Sequence, residues 1–344
     1  MEEGAAMEYS ELMQAARDNI GDKCSACPVC NGKACGNRIP GPGAKGTGDT
    51  AIRNYDCWQK IRVCMDTLVE SAPVDTSAEL FGRKMRLALF AGPVGAVAMH
   101  YSDQYNDLSY NRVLLKACAD NGIAAFTGDG MDAQVMISAT AAIKEMNGTG
   151  IPTVKPWSTQ AVNEKLQLVR DSGAFAAAMD IDAAGLPFLK NCVPPAGSKS
   201  VSEMKEIIKT AGVPFIIKGI ITVKGALKAA ETGAAAIVVS NHGGRVLDQC
   251  PATAEVLPEI VEALHGKNIR ILVDGGIRSG VDMFKALALG ADGVLIARPF
   301  VTAVYGGGAE GVKIYIDRIA SEFEDTMRMC GAHSIGEITA DMVR

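Results

Sequence analysis

The string Ser240-Asn241-His242-Gly243-Gly244-Arg245 closes the apolar run 234–239 with a proton acceptor, two glycines and a guanidinium. A histidine exchanges its proton near neutral pH. An arginine grips a carboxylate through two parallel hydrogen bonds, and glycines let backbone come close to a ligand. About one strand–helix–strand unit later, Asp274-Gly275-Gly276-Ile277-Arg278-Ser279-Gly280 closes a second apolar run. The amides of Gly275 and Gly276, with Arg278 and the later Arg298, have the composition of a phosphate cradle. The competing reading is a tight turn that needs glycine only for its backbone. Two such loops at consecutive strand ends point to one shared site.

The elements that must position these loops are periodic. Apolar runs at 87–91, 123–127, 151–155, 175–181, 214–218, 235–240, 269–274 and 293–297 read as strands. Amphipathic stretches at 161–170, 201–209, 225–231 and 281–289 lie between them as helices. Gly122, Gly173, Gly212, Gly233 and Gly290 fall where left-handed helix caps are expected, and Ser200 with Glu203 reads as a capping box. Continuous apolar strands alternating with helices make a parallel sheet buried on both faces. Eight repeats predict an α/β TIM (β/α)8 barrel over residues 81–344, behind an N-terminal extension over 1–80; an open doubly wound sheet is the lesser choice. In such a barrel ligands sit at the carboxyl ends of the strands, with phosphate at the loops after the seventh and eighth. Asp274-Gly275-Gly276 and Arg298-Pro299 occupy those two loops.

Composition sets the bounds. The chain has 344 residues, 48% hydrophobic and 21% charged, enough to bury a large core. A net charge of −5 with a pI near 5.5 argues against nucleic acid as a partner. No leader resembles a signal peptide and no apolar run approaches a membrane span, so a cytoplasmic protein is expected. Its ten cysteines then read as reduced thiols or metal ligands rather than a disulfide framework.

At these residues the chain resembles the FMN-dependent α-hydroxy-acid dehydrogenase and oxidase family, which includes glycolate and lactate oxidases. The matching text is Ile217-Lys218-Gly219-Ile220-Ile221-Thr222, then Val239 to Asp248 through the His-Gly-Gly-Arg loop, then Pro258-Glu259-Ile260, 273–280 and 284–299. The tail Met329-Cys330-Gly331-Ala332-His333-Ser334-Ile335-Gly336-Glu337-Ile338 resembles the family's C-terminal turn. The likeness is strong over 200–344, fair over 85–200 and poor before that. It implies FMN as cofactor and a small L-2-hydroxy acid of the lactate or glycolate kind as substrate. Hydride would pass to flavin N5, with His242 as base at the substrate hydroxyl. By the same resemblance Asp182 orients that histidine, Arg245 holds the substrate carboxylate, and Lys218 lies at the flavin N1/O2 edge. Ser240, Asp274, Gly275, Gly276, Arg278, Ala297 and Arg298 would contact ribityl and phosphate, with Pro93 along the flavin ring and Thr127 in place of a serine-rich flavin contact. A homo-oligomer, a tetramer in the family, is implied, while the electron acceptor is left open.

The chain departs from the family in ways that bear on substrate. The family's N-terminal tyrosine has no counterpart in Asn37-Arg38-Ile39-Pro40-Gly41. Ile151-Pro152-Thr153-Val154-Lys155 puts Lys155 where the family has a tyrosine near the substrate. Asp182-Ala183-Ala184-Gly185-Leu186 lacks the family's second arginine. Lys155 and Arg38 then rebuild the anion site, or Lys155 reaches solvent at a strand end. The missing groups also keep open a flavin enzyme of the same fold acting on another substrate, or as a non-redox isomerase. A second concentrated signal is Cys24-x2-Cys27-x2-Cys30-x4-Cys35, whose spacing suits an iron–sulfur cluster or zinc; the competing reading is four reduced thiols. Cys57, Cys64, Cys118, Cys192, Cys250 and Cys330 read as buried small residues, and His100, His265 and His333 as structural.

Overall fold

The computed structural model describes residues 7–191, 193 and 196–344; Cys192 lies outside the described residues. Helices α1 (Tyr9–Ile20) and α2 (Asp49–Lys60) come first, then a hairpin of β1 (Ala78–Leu80) and β2 (Arg83–Met85). Eight parallel strands follow: β3 (Leu89–Ala91), β4 (Ala124–Thr127), β5 (Ile151–Val154), β6 (Ala177–Asp180), β7 (Phe215–Ile220), β8 (Ala236–Val239), β9 (Arg270–Val273) and β10 (Gly293–Ile296). They close into a barrel in chain order, with β10 pairing back to β3 through Val294 and Leu89. The TIM barrel expected from the periodicity is therefore the fold, and each apolar run contains its strand except 214–218, past which β7 continues to Ile220.

The strands are apolar because both faces are covered. Every residue of β3, β4, β5, β6, β8 and β10 is buried. The outer ring holds α3 (Val97–His100), α4 (Asp107–Asp120), α5 (Ala133–Glu145), α6 (Thr159–Ser172), α7 (Val201–Ala211), α8 (Val223–Glu231), α9 (Thr253–Leu264), α10 (Gly280–Ala288) and α11 (Arg298–Met329). Ser200 and Glu203 form the expected reciprocal cap on α7, and Gly173 and Gly212 end α6 and α7 in left-handed conformation. Phe90 and Phe126 meet edge to face at 5.5 Å between ring centroids. No helix among the described residues is long and apolar enough to cross a membrane.

Two local features aim side chains at the barrel mouth. In β7 the register shifts between Lys218 and Ile220, at Gly219 with φ +98°. A Cβ on Gly219 would sit 2.4 Å from the Asp182 carboxyl carbon, so this bulge makes the space Asp182 occupies. The second feature is α2, which packs under the loop after β9. Trp58 Nε1 donates to the Gly275 carbonyl at 2.8 Å, and a Cβ on Gly276 would lie 2.3 Å from the Asn54 carbonyl oxygen. Gly276 is thus required by the close approach of a helix, an origin the sequence did not suggest.

Candidate active site

One cavity at the carboxyl ends of the strands brings together most of the chemistry-bearing residues. It is lined by Lys155, Asp180, Lys218, His242, Arg245 and Asp274, and further along by Gly275, Arg278, Ala297, Arg298 and Pro93. Asp182 stands just behind His242. Ser240, Thr127 and Gly276 lie outside the lining, although Ser240 Oγ accepts the Lys218 ammonium at 3.0 Å. Thr127 Oγ1 is buried without a hydrogen-bond partner, as is Asp274 Oδ1.

His242 is held between two carboxylates. Its Nδ1 is 2.9 Å from Asp182 Oδ1, and its Nε2 is 3.8 Å from Asp180 Oδ2, too far for a hydrogen bond. An Nδ1–H donated to Asp182 leaves Nε2 as the acceptor toward the cavity, which is the state a proton acceptor needs. Burial would push the Asp182 carboxyl up, but the charge and hydrogen bond of His242, with Lys218 and Lys155 behind it, hold it below its ordinary value. It is a fixed anion.

Asp180 is the residue sequence reasoning passed over. In Asp180-Ile181-Asp182 only the second carboxylate was singled out, yet Asp180 ends β6 and pairs in register with Lys218 on β7. The available signal was its place at the carboxyl end of an apolar run, where a barrel carries its ligands. The Lys155 ammonium meets Asp180 Oδ2 at 3.0 Å, and Lys155 is only 9% exposed. It does not reach solvent. Asp129 fixes the base of this arrangement: its carboxylate accepts from the Lys155 amide, Trp157 Nε1 and the Lys165 ammonium at 3.0, 2.6 and 2.7 Å. Arg38, by contrast, turns away to donate to the Asp22 carbonyl and does not rebuild an anion site.

Lys218 is buried against Asp274 Oδ2 at 3.2 Å. Burial alone would lower its pKa, but Asp274, then Asp182 and Asp180, raise it, so the ammonium is permanent. Arg245 donates Nη1 to the carbonyls of Gly41 and Gly43, and Arg298 donates Nη1 to that of Pro42. Burial, with Arg298 nearby, brings Arg245 down to about 10, still charged at neutral pH. Segment 41–43 therefore crosses the mouth and steadies both guanidiniums. It also donates the Gly41 amide to His100 Nδ1 at 3.1 Å, which places His100 on the cavity wall rather than in a purely structural role.

The donor set suits a flavin mononucleotide. Two guanidiniums match a phosphate, and the unpartnered Asp274 oxygen matches a polyol hydroxyl. The Lys218 ammonium matches the ring edge where negative charge gathers on reduction.

The cysteines give a different result. Cys24, Cys27, Cys30 and Cys35 line a second cavity, which shares Arg278 and Arg298 with the first. Among the described residues, however, no group of three or more His, Cys, Asp or Glu is arranged to hold a metal ion. The thiols lie on one irregular segment whose polar groups take other partners. Cys35 Sγ donates to the Gly32 carbonyl, and Arg278 Nε donates to the Cys30 carbonyl at 2.7 Å. Burial pushes the Cys30 thiol up, but Arg278 and Arg298 outweigh it and hold it below its ordinary value. The structure does not support the expected iron–sulfur cluster or zinc. Of the remaining cysteines, Cys57, Cys118 and Cys330 are buried as expected, while Cys64 and Cys250 are half-buried.

Fold and site together define a flavin-type (β/α)8 barrel with a histidine–carboxylate pair at its mouth. The chain belongs to the FMN-dependent dehydrogenase family, whose model matches residues 42–188 and 192–344. It is 51% identical over 132 residues to a peroxisomal (S)-2-hydroxyacid oxidase of Arabidopsis thaliana, a segment covering 38% of this chain and 36% of that protein. It is 48% identical over 127 residues to the glycolate oxidase of Spinacia oleracea, covering 37% and 34%. These matches thus span little more than a third of each relative. Among solved structures, mandelate oxidase superposes with a TM-score of 0.78 at 25% identity, covering 98% of this chain and 97% of that one. Flavocytochrome b2 superposes with a TM-score of 0.76 at 25% identity, covering 88% and 80%. The cytoplasmic placement expected above is contradicted by relatives from Arabidopsis thaliana and Oryza sativa that are peroxisomal enzymes. The expectation came from reading no signal-peptide or membrane-span pattern, which does not bear on import into a peroxisome.

Proposed function

We propose that the protein oxidises a small L-2-hydroxy acid to the 2-oxo acid with FMN as cofactor. The observation that carries this reading is the His242–Asp182 pair at 2.9 Å, in one cavity with the cations Arg245 and Lys218. Bound flavin supplies the hydride acceptor. His242 Nε2 takes the hydroxyl proton, and Asp182 stabilises the imidazolium that results. Arg245 binds the carboxylate with the N–H groups that segment 41–43 leaves free, orienting the α-carbon. Arg278 and Arg298 hold the phosphate, and Lys218 presents a fixed positive charge at the ring edge. Lys155, locked to Asp180, neutralises the second carboxylate so that two anions do not crowd the substrate.

Assembly as a homo-oligomer belongs to the same reading, and sedimentation velocity tests it. Substitution of His242 by Ala tests the mechanism. The variant should retain flavin as well as the parent yet lose its reduction by hydroxy acid by about 10²–10⁴-fold, the usual worth of a general base. A variant that loses flavin instead would show the histidine to be a cofactor ligand.

A further inference from the structure

His100 ends α3, in the loop after the first barrel strand, and lines the same cavity as His242. Its Nδ1 accepts the Gly41 N–H, so the ring proton resides on Nε2. Burial, then the charges of Arg245, Lys155 and Lys23, push its pKa down to about 3. His100 is therefore a neutral donor and takes no proton near neutral pH. The lining also holds the apolar side chains Met99, Leu186, Phe188 and Leu189, with the Phe188 ring centroid 6.2 Å from that of His100. The cavity thus combines apolar side chains with the neutral N–H donor of His100, and Tyr101 lines it as well.

The cations of the cavity restrict what can enter. Among the described residues they are Lys155, Lys218, Arg245, Arg278 and Arg298. Lys155 is matched by Asp180 at 3.0 Å and Lys218 by Asp274 at 3.2 Å. Arg278 and Arg298 answer the flavin phosphate, which leaves Arg245 for one substrate carboxylate. A second carboxylate would be buried without a counter-charge, which is strongly unfavourable. A wholly apolar side chain would instead strand the His100 N–H without an acceptor.

We propose that His100 determines specificity by donating from Nε2 to the substrate's side chain, selecting a monocarboxylic 2-hydroxy acid whose apolar side chain bears an uncharged oxygen acceptor. This rests on the reading of the site as a 2-hydroxy-acid oxidase and names its substrate class.

The test is anaerobic flavin reduction of the holoprotein by three acids: 2-hydroxypentanoate, 2-hydroxy-4-oxopentanoate and malate. The 4-oxo acid should half-saturate at about tenfold lower concentration than its apolar analogue, the effect of one satisfied hydrogen bond. His100→Leu should erase that difference, the ratio of the two half-saturation concentrations falling to about one. Equal preference in the parent, a matching loss for both acids in the variant, or malate as the best substrate would each overturn the proposal. A parent reduced by 2-hydroxypentanoate without preference sinks this inference alone; a parent reduced by none of the three sinks the oxidase reading and this inference with it. A nitrogen-15 spectrum of the parent's imidazoles gives a readout independent of turnover and of the variant's folding. The His100 signal should report neutral Nε2–H across about pH 5–8, and an Nδ1–H tautomer or a titration in that window would overturn the assignment.

Discussion

At His242 two carboxylates face one imidazole with different tasks. Asp182 takes the hydrogen bond, whereas Asp180 is claimed by Lys155. An Asp182→Asn variant keeps the shape but loses the charge that favours the imidazolium. It should retain flavin while hydroxy-acid reduction slows by about 10²–10⁴-fold, measured by stopped-flow absorbance. The same carboxylate couples stability to pH. Its native pKa is lowered from 3.8, so its stabilisation is complete above that value and disappears as pH falls through the lower native one. Urea unfolding of parent and variant should therefore differ by a constant amount near neutrality, and the difference should shrink only below 3.8. At this scale the sequence was informative about His242, Arg245 and Lys218, whose types announce their chemistry. It pointed wrongly to a structural His100, because that residue becomes a wall of the cavity only through a contact with Gly41, a partner 59 residues away.

Among the elements, the strands and helix caps were legible because their signals are local. Apolar runs, the Ser200–Glu203 box and the cap glycines each act within a few residues. The bulge at Gly219 was not, since its purpose is to clear space for Asp182 on the neighbouring strand's loop. Its φ of +98° and the 2.4 Å approach both oppose a side chain. Gly219→Ala should displace Asp182 and Lys218 together, lowering both flavin affinity and reduction rate, although residue 219 itself does not line the cavity. Fluorescence titration with FMN and single-turnover reduction separate the two effects; parent values in both would show that the bulge tolerates a methyl group.

Over the whole molecule, the N-terminal segment completes the site. Segment 41–43 holds Arg245 and Arg298 by its carbonyls, and α2 supports the loop after β9 through Trp58 and through Asn54, which pairs with Asn241 at 2.7 Å. These contacts join residues about two hundred positions apart, and no local pattern in the first eighty residues announced them. The spacing of Cys24, Cys27, Cys30 and Cys35 suggested metal for the opposite reason: it is a local signal, and among the described residues the fold arranges no group of three or more His, Cys, Asp or Glu to hold a metal ion. Arg278 belongs to this long-range assembly, bonded to Cys30 on one side and lining the flavin cavity on the other. Arg278→Ala should weaken FMN retention by about 10–100-fold, the loss of one charge-assisted hydrogen bond to phosphate, while the flavin that remains bound is reduced at the parent's rate. Equilibrium dialysis with stopped-flow reduction checks both halves.

Hydroxy-acid oxidation is tested most directly by an anaerobic visible spectrum of the FMN-loaded protein, titrated with a panel of L-2-hydroxy acids. Bleaching of the yellow flavin band by one of them, with the matching 2-oxo acid recovered in equal amount, is the predicted result. A flavin band that stays intact throughout the panel would contradict hydroxy-acid oxidation and favour a different substrate or a non-redox flavoenzyme on the same barrel.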